Sequence, residues 1–319
     1  MCRTTDTIQH ISPSHAAQSP ARPALTLLGG DARQLSIATR FSQAGYEVRI
    51  MGVGDSPPHG VRVCHDLGKA LTGSRLLVLP LPTTRDGEHI YTPLDTQTKI
   101  SFPQLCEGLS RLPSVHVFGG RIPREWSHSL SAIGCTVTDY YDREDIQIKN
   151  ARITAEGALM TAMEMTDTGI LGTPMAVIGY GRIGQDLSRM LVALGAQVTV
   201  YARRSASRAQ AASDGCATHD TTHLSTLTQG YGVIFNTVPE RLIGKEILSV
   251  MPCGTLVIDL SSPPFGIDPE AAGEATARCG LGVVFAPSLP GRYAPQSAGT
   301  VIAEGIMSAL AQEEGGGGA

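Results

Sequence analysis

Short apolar runs alternate with longer amphipathic segments along most of the chain. Each run is followed by a turn and then by a segment in which apolar residues recur at helical spacing. Strands that alternate with helices in this way are typical of parallel, doubly wound α/β sheets. The first series of strands is predicted at 24–28, 47–51, 61–63, 75–79, 115–118 and 135–138, with helices near 31–44, 65–72, 101–111 and 123–133.

A second series of the same kind begins at residue 174. It contains six apolar runs separated by helical segments, which is the number of strands in a complete dinucleotide-binding fold. The predicted strands are 174–178, 197–201, 216–218, 232–235, 255–259 and 282–285, and the helices lie near 182–194, 205–213, 222–229, 242–250 and 269–278.

Two further helices are predicted to connect these series. The segment 153–166 is rich in helix-forming residues, with Thr154 as N-cap and Glu156 in the first turn. The segment 298–312 follows the last strand and is expected to cross back to the first domain. Small-ligand sites favour the cleft between two such domains.

The predicted organisation is a disordered leader (1–22), a flavodoxin-like substrate domain (23–152, joined by helix 298–312), a Rossmann NADP-binding domain (153–297) and a flexible tail (313–319).

Composition narrows the class of protein. Hydrophobic residues make up 42% of the 319, and the net charge is −4, so nothing favours a nucleic-acid or membrane partner. The N-terminal residues lack the apolar core of a signal peptide. The seven cysteines are scattered and contain no C-x-x-C pair, which indicates reduced thiols in a cytoplasmic protein. The 36 glycines are more than average usage and indicate many tight turns.

A G-x-G-x-x-G motif stands between a predicted strand and a predicted helix. Gly179 is expected to form the tight turn, Gly181 to admit the pyrophosphate, and Gly184 to let the helix pack on the strand. The helix N-terminus offers free N–H groups to the phosphates. The predicted cofactor-binding residues of this turn are Gly179, Tyr180, Gly181, Arg182, Ile183 and Gly184.

The end of the next strand predicts the form of the cofactor. An NAD enzyme usually carries an acid there, whereas this chain has Ala202, Arg203, Arg204 and Ser205. Guanidinium and hydroxyl groups suit a 2′-phosphate, so NADP(H) is predicted. Two later loops are expected to border the ribose and nicotinamide, and their predicted binding residues are Asn236, Thr237, Val238, Pro239, Ser261 and Ser262.

The first domain carries arginines in three loops that follow predicted strands. Arg33 lies in one of them beside Asp31 and Gln34, and Arg85 and Arg121 lie in the other two. Arginine is suited to bidentate binding of carboxylates. The alternative is that these are separate surface arginines.

Several other chemistries are disfavoured by the positions of His, Lys and Cys. A 2-hydroxy-acid dehydrogenase needs a histidine base in its cofactor domain, yet no histidine follows His223. None of the four lysines lies in the loops described above. The group Cys216, His219 and His223 has metal-like spacing but no nearby fourth ligand. We therefore interpret these two histidines as surface residues and predict no metal site.

Four segments together resemble the A-subunit family of dipicolinate synthase. They are GGDARQ (29–34), LPLPTTRDG (79–87), ITAEGA (153–158) and SLPGRYAPQSAG (288–299). The resemblance covers about residues 24–312, and the combination is much more specific than the dinucleotide motif alone. Members of the family tend to carry Lys at the position of Arg292, so this position departs from the pattern while keeping its charge.

The resemblance implies an oxidoreductase of endospore formation. It would make dipicolinate by NADP-linked dehydrogenation of dihydrodipicolinate or a hydrated precursor, in the cytoplasm of the mother cell. It would form a homo- or hetero-oligomer and act with the flavoprotein-like second subunit of dipicolinate synthase. Under this interpretation Glu156 or Asp31 is the base, although Glu156 equally suits a helix cap, and the predicted substrate-binding residues are Arg33, Gln34, Arg121 and Arg292.

Two alternatives remain open. One is another two-domain NAD(P)-dependent dehydrogenase of the alanine, formate or hydroxy-acid class. The other is a regulatory protein that senses a nucleotide and catalyses nothing. A sensor would usually lack a substrate domain with arginine-bearing loops of its own.

Overall fold

Two parallel sheets of six strands form the protein. The computed structural model describes residues 23–316, so the predicted leader and residues 317–319 lie outside the described residues. The first sheet consists of β1 (Ala24–Leu28), β2 (Glu47–Met51), β3 (Val61–Val63), β4 (Ser74–Val78), β5 (His116–Gly119) and β6 (Thr136–Asp139). The second consists of β7 (Pro174–Ile178), β8 (Gln197–Tyr201), β9 (Ala217–His219), β10 (Val233–Asn236), β11 (Leu256–Asp259) and β12 (Gly282–Phe285).

Both sheets have the same strand order. The first is ordered β3-β2-β1-β4-β5-β6, and the second, from its other edge, β9-β8-β7-β10-β11-β12. The prediction of two doubly wound sheets is confirmed. The description of the first domain as flavodoxin-like is wrong, because a flavodoxin sheet is ordered 2-1-3-4-5 whereas both sheets here have the Rossmann order. Apolar runs locate strands, but they do not specify which strands are neighbours.

Helices cover both faces of each sheet. The 3₁₀ turn Thr221–Gln229 replaces the helix predicted at 222–229, and a second 3₁₀ turn spans Tyr140–Asp142. The helices are α1 (Arg33–Gln43), α2 (Leu67–Leu71), α3 (Phe102–Ser110), α4 (Arg124–Ala132), α5 (Glu144–Met165), α6 (Arg182–Ala193), α7 (Ser205–Ser213), α8 (Lys245–Val250), α9 (Pro269–Cys279), α10 (Leu289–Tyr293) and α11 (Pro295–Gly316). Of these described helices, none is long and apolar enough to cross a membrane.

Helix α5 joins the two sheets and begins earlier than predicted. Its first turn carries the acidic residues Glu144 and Asp145, a favourable placement at a helix N-terminus. Thr154 is therefore not an N-cap. Its hydroxyl donates to the Asn150 carbonyl oxygen at 2.8 Å, inside the helix. Near its middle, Gly157 lets α10 approach, because a Cβ there would lie 2.9 Å from the Leu289 Cβ.

Helix α11 returns from the second sheet to the first domain. Ile302 and Ile306 are buried in the same apolar cluster as Ile37 and Phe41 of α1. The two helices meet closely at Gly299, where an added Cβ would lie 2.4 Å from the Arg33 carbonyl oxygen. The helix continues to Gly316, so the predicted tail is helical where it is described. Packing of α11 places the α1 N-terminus beside the interdomain cleft.

The chain itself covers the turn between β1 and α1. The Gly30 N–H donates to the Tyr91 carbonyl oxygen at 2.7 Å. An added Cβ on Gly29 would lie 2.6 Å from that oxygen and 2.8 Å from a side-chain carbon of Ile90. The segment after β4 therefore closes over this turn, and only glycine fits beneath it.

Candidate active site

A cavity of about 440 Å³ lies at the carboxyl ends of β7, β8 and β10. This is the edge at which open α/β sheets bind ligands. Most of the predicted cofactor residues line it, namely Gly179, Tyr180, Gly181, Arg182, Ile183, Ala202, Arg203, Arg204, Thr237, Val238 and Pro239.

The glycine turn has the geometry that a pyrophosphate requires. Gly179 has a φ of +94°, and an added Cβ there would lie 2.4 Å from the Thr237 hydroxyl oxygen. A Cβ on Gly184 would lie 2.2 Å from the Gly179 carbonyl oxygen, so helix α6 packs directly on the turn. Gly181 faces open space. The turn therefore leaves room for phosphate at Gly181 alone and fits a dinucleotide.

Tyr180 lines this cavity, but its side chain is engaged elsewhere. Its side chain is buried in the core, and its hydroxyl donates to the Asp214 carboxylate. Burial and this hydrogen bond raise the pKa of Tyr180. The side chain therefore anchors α6 to the segment after α7.

Arginines occupy the end of the cavity that follows β8. Arg203 and Arg204 both line it, and Ser207 lines it in place of Ser205. Arg208 is held elsewhere, since its Nη1 donates to Asp220 at 2.5 Å. The sequence reasoning missed one acid here. Glu240 comes from the loop after β10, and its carboxylate lies 3.9 Å from the Arg203 guanidinium.

Five predicted cofactor residues do not line this cavity, namely Gly184, Ser205, Asn236, Ser261 and Ser262. Asn236 is buried, and its amide donates to the Asp259 carboxylate at 3.0 Å and to the Val238 carbonyl oxygen at 2.9 Å. Ser261 donates to the same carboxylate at 2.7 Å. These residues hold the loops after β10 and β11 together. Ser262 lines a different cavity.

This second cavity, of about 340 Å³, lies between the domains. Arg33, Arg85 and Arg121 all line it, which brings together the three predicted arginine loops. It shares part of its wall with the nucleotide cavity. The residues lining both are Tyr141, Asn150 and Ile183.

Arg33 is the most buried of these arginines, with 6% of its side chain exposed. Its Nε and Nη2 each donate to an Asp31 carboxylate oxygen at 2.8 Å, and Nη2 also donates to the Leu81 carbonyl oxygen. Burial lowers the pKa of Arg33, but the hydrogen bond and charge of Asp31 outweigh burial and raise it overall. Asp31 thus holds a charged guanidinium in a fixed position.

Arg85 and Arg121 are restrained by aromatic rings. The Arg85 guanidinium carbon lies 4.5 Å from the centroid of the Tyr91 ring, and that of Arg121 lies 5.2 Å from the Tyr141 ring. Such cation–π contacts orient a guanidinium and leave its edge N–H groups available.

Two predicted substrate-binding residues do not reach the cleft. Gln34 is 2% exposed, packs against Gly30, and has no hydrogen-bond partner for its amide among the described residues. Arg292 is exposed and stacks on the ring of Tyr293 at 5.4 Å.

Glu156 also lies outside the cavity, which corrects its predicted position. It is 56% exposed, and its carboxylate lies 3.6 Å from the Arg152 guanidinium. Residues two apart on a helix are separated by about 200° around the axis. Because Thr154 lines the cavity, Glu156 must point away from it.

Sequence reasoning missed the polar face of α5. Gln147, Asn150 and Thr154 line the two cavities at spacings of three and four residues, which places them on one helix face. This pattern is visible in the sequence once the helix is extended back to Glu144. Among the described residues, no cluster of three or more His, Cys, Asp or Glu could hold a metal ion.

Comparisons with known proteins agree with this geometry. The family model for the N-terminal domain of the dipicolinate synthase A-subunit matches residues 24–141. The model for the NAD-binding domain of D-isomer specific 2-hydroxyacid dehydrogenases matches residues 145–262. The second domain is therefore a nicotinamide-dinucleotide-binding domain, and the chain is an oxidoreductase subunit.

Relatives match nearly the whole chain. The dipicolinate synthase A-subunit from Bacillus subtilis (strain 168) is 30% identical, over 91% of this chain and 98% of that protein. The crystal structure of its counterpart from Bacillus halodurans has a TM-score of 0.80 at 29% identity, covering 91% of this chain and 98% of that one. The crystal structure of the Bacillus subtilis protein has a TM-score of 0.77 at 28% identity, covering 92% and 97%. The chain belongs to the A-subunit family of dipicolinate synthase.

Proposed function

We propose that this chain catalyses NADP-linked dehydrogenation of dihydrodipicolinate, or its hydrated precursor, to dipicolinate. It would do so as one component of a two-subunit synthase during sporulation, in the cytoplasm of the mother cell. One observation carries the proposal. A cavity lined by three arginines shares a wall with the dinucleotide cavity.

The residues of the second cavity suit a dianionic substrate. Arg33, Arg85 and Arg121 supply three positive charges, and the described residues lining it include no Asp or Glu. Lys and His are also missing from that described lining, so the histidine base of hydroxy-acid dehydrogenases has no counterpart there. Dipicolinate carries two carboxylates on a pyridine ring. Arginine is the side chain best suited to bind such groups in a fixed orientation.

The residues of the first cavity suit NADP(H). A bound nicotinamide accepts a hydride, and the protein's task is to hold the ring beside the substrate. Gly181 and the α6 N-terminus would bind the pyrophosphate, and Arg203 and Arg204 would bind the 2′-phosphate. The acids near this end do not oppose that assignment. Asp220 is committed to Arg208, and Glu240 is exposed to solvent beside Arg203.

We propose a positioning role for Asp31 rather than the role of base. Both of its oxygens accept hydrogen bonds from Arg33, and that arginine lines the substrate cavity. Dehydrogenation would transfer a hydride from the ring to the oxidised nicotinamide and release one ring proton, which water in the cleft would accept. Aromatisation of the ring supplies driving force for the reaction, so a strong base is not required. Catalysis can therefore rest largely on holding the ring in a reactive orientation.

The decisive experiment measures the reaction itself. The purified chain is given the condensation product of pyruvate and aspartate semialdehyde with NADP⁺, both alone and with a candidate flavoprotein-like second subunit. We expect NADPH and dipicolinate to accumulate together when both proteins are present. Absence of dipicolinate from the complete mixture contradicts the proposed reaction, and full turnover by this chain alone contradicts an obligate partner.

A further inference from the structure

Two arginines of the first domain reach serines of the second domain across the cleft. The Arg121 Nη1 donates to the Ser262 hydroxyl oxygen at 3.4 Å. The Arg85 Nη2 donates to the Ser288 hydroxyl oxygen at 3.3 Å. All four residues line the interdomain cavity. Each pair therefore combines one group from each domain.

The backbone at these pairs is unusual. Arg121 has a φ of +54° and Ser288 a φ of +61°, and only one other described non-glycine residue has a positive φ. Side chains rarely adopt this conformation, and where it occurs it is often associated with function. The Arg121 turn is also fixed by its neighbours, since the N–H groups of Arg121 and Ile122 donate to the Asp139 carboxylate at 3.1 and 2.8 Å.

The two arginine–serine hydrogen bonds are weak enough for a carboxylate to replace them. Both distances exceed the usual range for a hydrogen bond to a charged donor. A carboxylate can accept from the guanidinium and from the serine hydroxyl at the same time, because its two oxygens offer about four acceptor positions. In that exchange the serine changes from acceptor to donor and the arginine keeps its orientation on the tyrosine ring.

We propose that Arg121–Ser262 and Arg85–Ser288 are two carboxylate subsites that together select ring dicarboxylates. This inference rests on the proposed function and deepens it. A ring with carboxylates on opposite sides of its nitrogen engages both pairs and connects the two domains at two points. A ring with one carboxylate engages one pair only. Selection for the diacid therefore comes from two arginine–serine pairs, each of which has one member in each domain. Arg33, which Asp31 holds in place, lines the same cavity.

Calorimetry of the full chain with saturating NADP⁺ tests this inference, with dipicolinate and picolinate (pyridine-2-carboxylate) as probes. We expect the wild type to bind dipicolinate at least about 100-fold more tightly than picolinate. Ser262→Ala and Ser288→Ala should each weaken dipicolinate binding about tenfold, which is the typical effect of losing one hydrogen bond to a charged group. Each should weaken picolinate binding less, because picolinate uses one pair. Ser213→Ala, an exposed serine far from the cleft, is the matched control.

The outcomes separate this inference from the proposed function. If the wild type binds dipicolinate tightly and both serine variants bind it equally well, the subsite assignment is wrong and the proposed function stands. If the wild type binds neither probe, both are overturned. Equal weakening of the two probes by each serine variant also contradicts selection by paired subsites.

Discussion

Single side chains distinguish the proposed phosphate end of the cleft from the proposed carboxylate end. Arg203 and Arg204 stand at the first, exposed to solvent, whereas Arg33 at the second is almost fully buried. This difference in burial determines what a substitution of each arginine measures. Removal of an exposed arginine changes binding and leaves stability nearly unchanged, but removal of the Arg33 side chain leaves the Asp31 carboxylate without its guanidinium partner.

The double variant Arg203→Ala/Arg204→Ala tests the form of the cofactor. We expect NADPH affinity to fall about tenfold or more, because charge-assisted contacts to the 2′-phosphate are lost. NADH affinity should change less than about threefold. The ratio of NADPH affinity to NADH affinity, measured by calorimetry, should therefore fall. Arg111→Ala, an exposed arginine of the first domain, serves as control. Equal affinity of the wild type for NADPH and NADH rules out the proposed 2′-phosphate site.

Asp31→Asn separates positioning from proton transfer. Asparagine has one acceptor oxygen, so the Arg33 guanidinium loses one of its two hydrogen bonds to this side chain. We expect KM for the substrate to rise about tenfold while kcat changes less than about threefold. Steady-state kinetics of the two-subunit enzyme gives both values. A kcat loss of about 100-fold at unchanged KM assigns Asp31 the role of base and contradicts the positioning role.

At the scale of elements, the turn between β7 and α6 offers a matched pair of variants. Gly181→Ala adds a methyl group into open space, whereas Gly184→Ala places one 2.2 Å from the Gly179 carbonyl oxygen. We expect Gly181→Ala to keep its melting temperature and lose at least about tenfold in NADPH affinity. Gly184→Ala should lose affinity and also about 2 kcal/mol or more of stability.

Thermal unfolding and calorimetry on both glycine variants check this expectation. A Gly181→Ala protein that binds NADPH as tightly as the wild type excludes Gly181 from the phosphate site. A Gly184→Ala protein that is as stable as the wild type contradicts the expected loss of stability, because α6 must then move away from the Gly179 carbonyl oxygen without lowering the free energy of unfolding.

The strands were predictable because their signal is local. All twelve predicted strands form, and each lies within one residue of its predicted position. Buried strands of a parallel sheet are continuous apolar runs, such as the one from Val233 to Phe235. The beginning of α5 was not predictable in the same way. Its first turns are polar, and their burial depends on packing against both domains, which no local pattern encodes.

The candidate site was predictable in part for a related reason. The positions of Arg33, Arg85 and Arg121 follow from strand ends, because the carboxyl ends of parallel strands meet at one edge. Which residue of a loop faces the cleft depends on backbone angles. Gln34 and Arg292 point elsewhere, whereas Ser288, with its positive φ, faces the cleft and was missed.

At the scale of the whole molecule, the shared wall predicts coupling between the two ligands. Tyr141 and Asn150 line both cavities, so cofactor binding should order part of the substrate site. We expect saturating NADP⁺ to tighten dipicolinate binding about fivefold or more, the lower end of typical coupling between sites. Calorimetry with and without NADP⁺ measures the factor. Identical dipicolinate affinities under the two conditions contradict coupling through this wall.

The covered turn after β1 has a consequence for the binding stoichiometry. Both sheets have the strand order of a dinucleotide fold, so topology alone would allow two nucleotides per chain. In the first sheet, however, the Tyr91 carbonyl and Ile90 occupy the space over Gly29 where a pyrophosphate would approach. We therefore expect an NADP⁺ titration to saturate at one equivalent per chain. The first half of the molecule has the strand order of a nucleotide-binding domain, yet in the proposed function its sheet edge binds the carboxylates of the substrate.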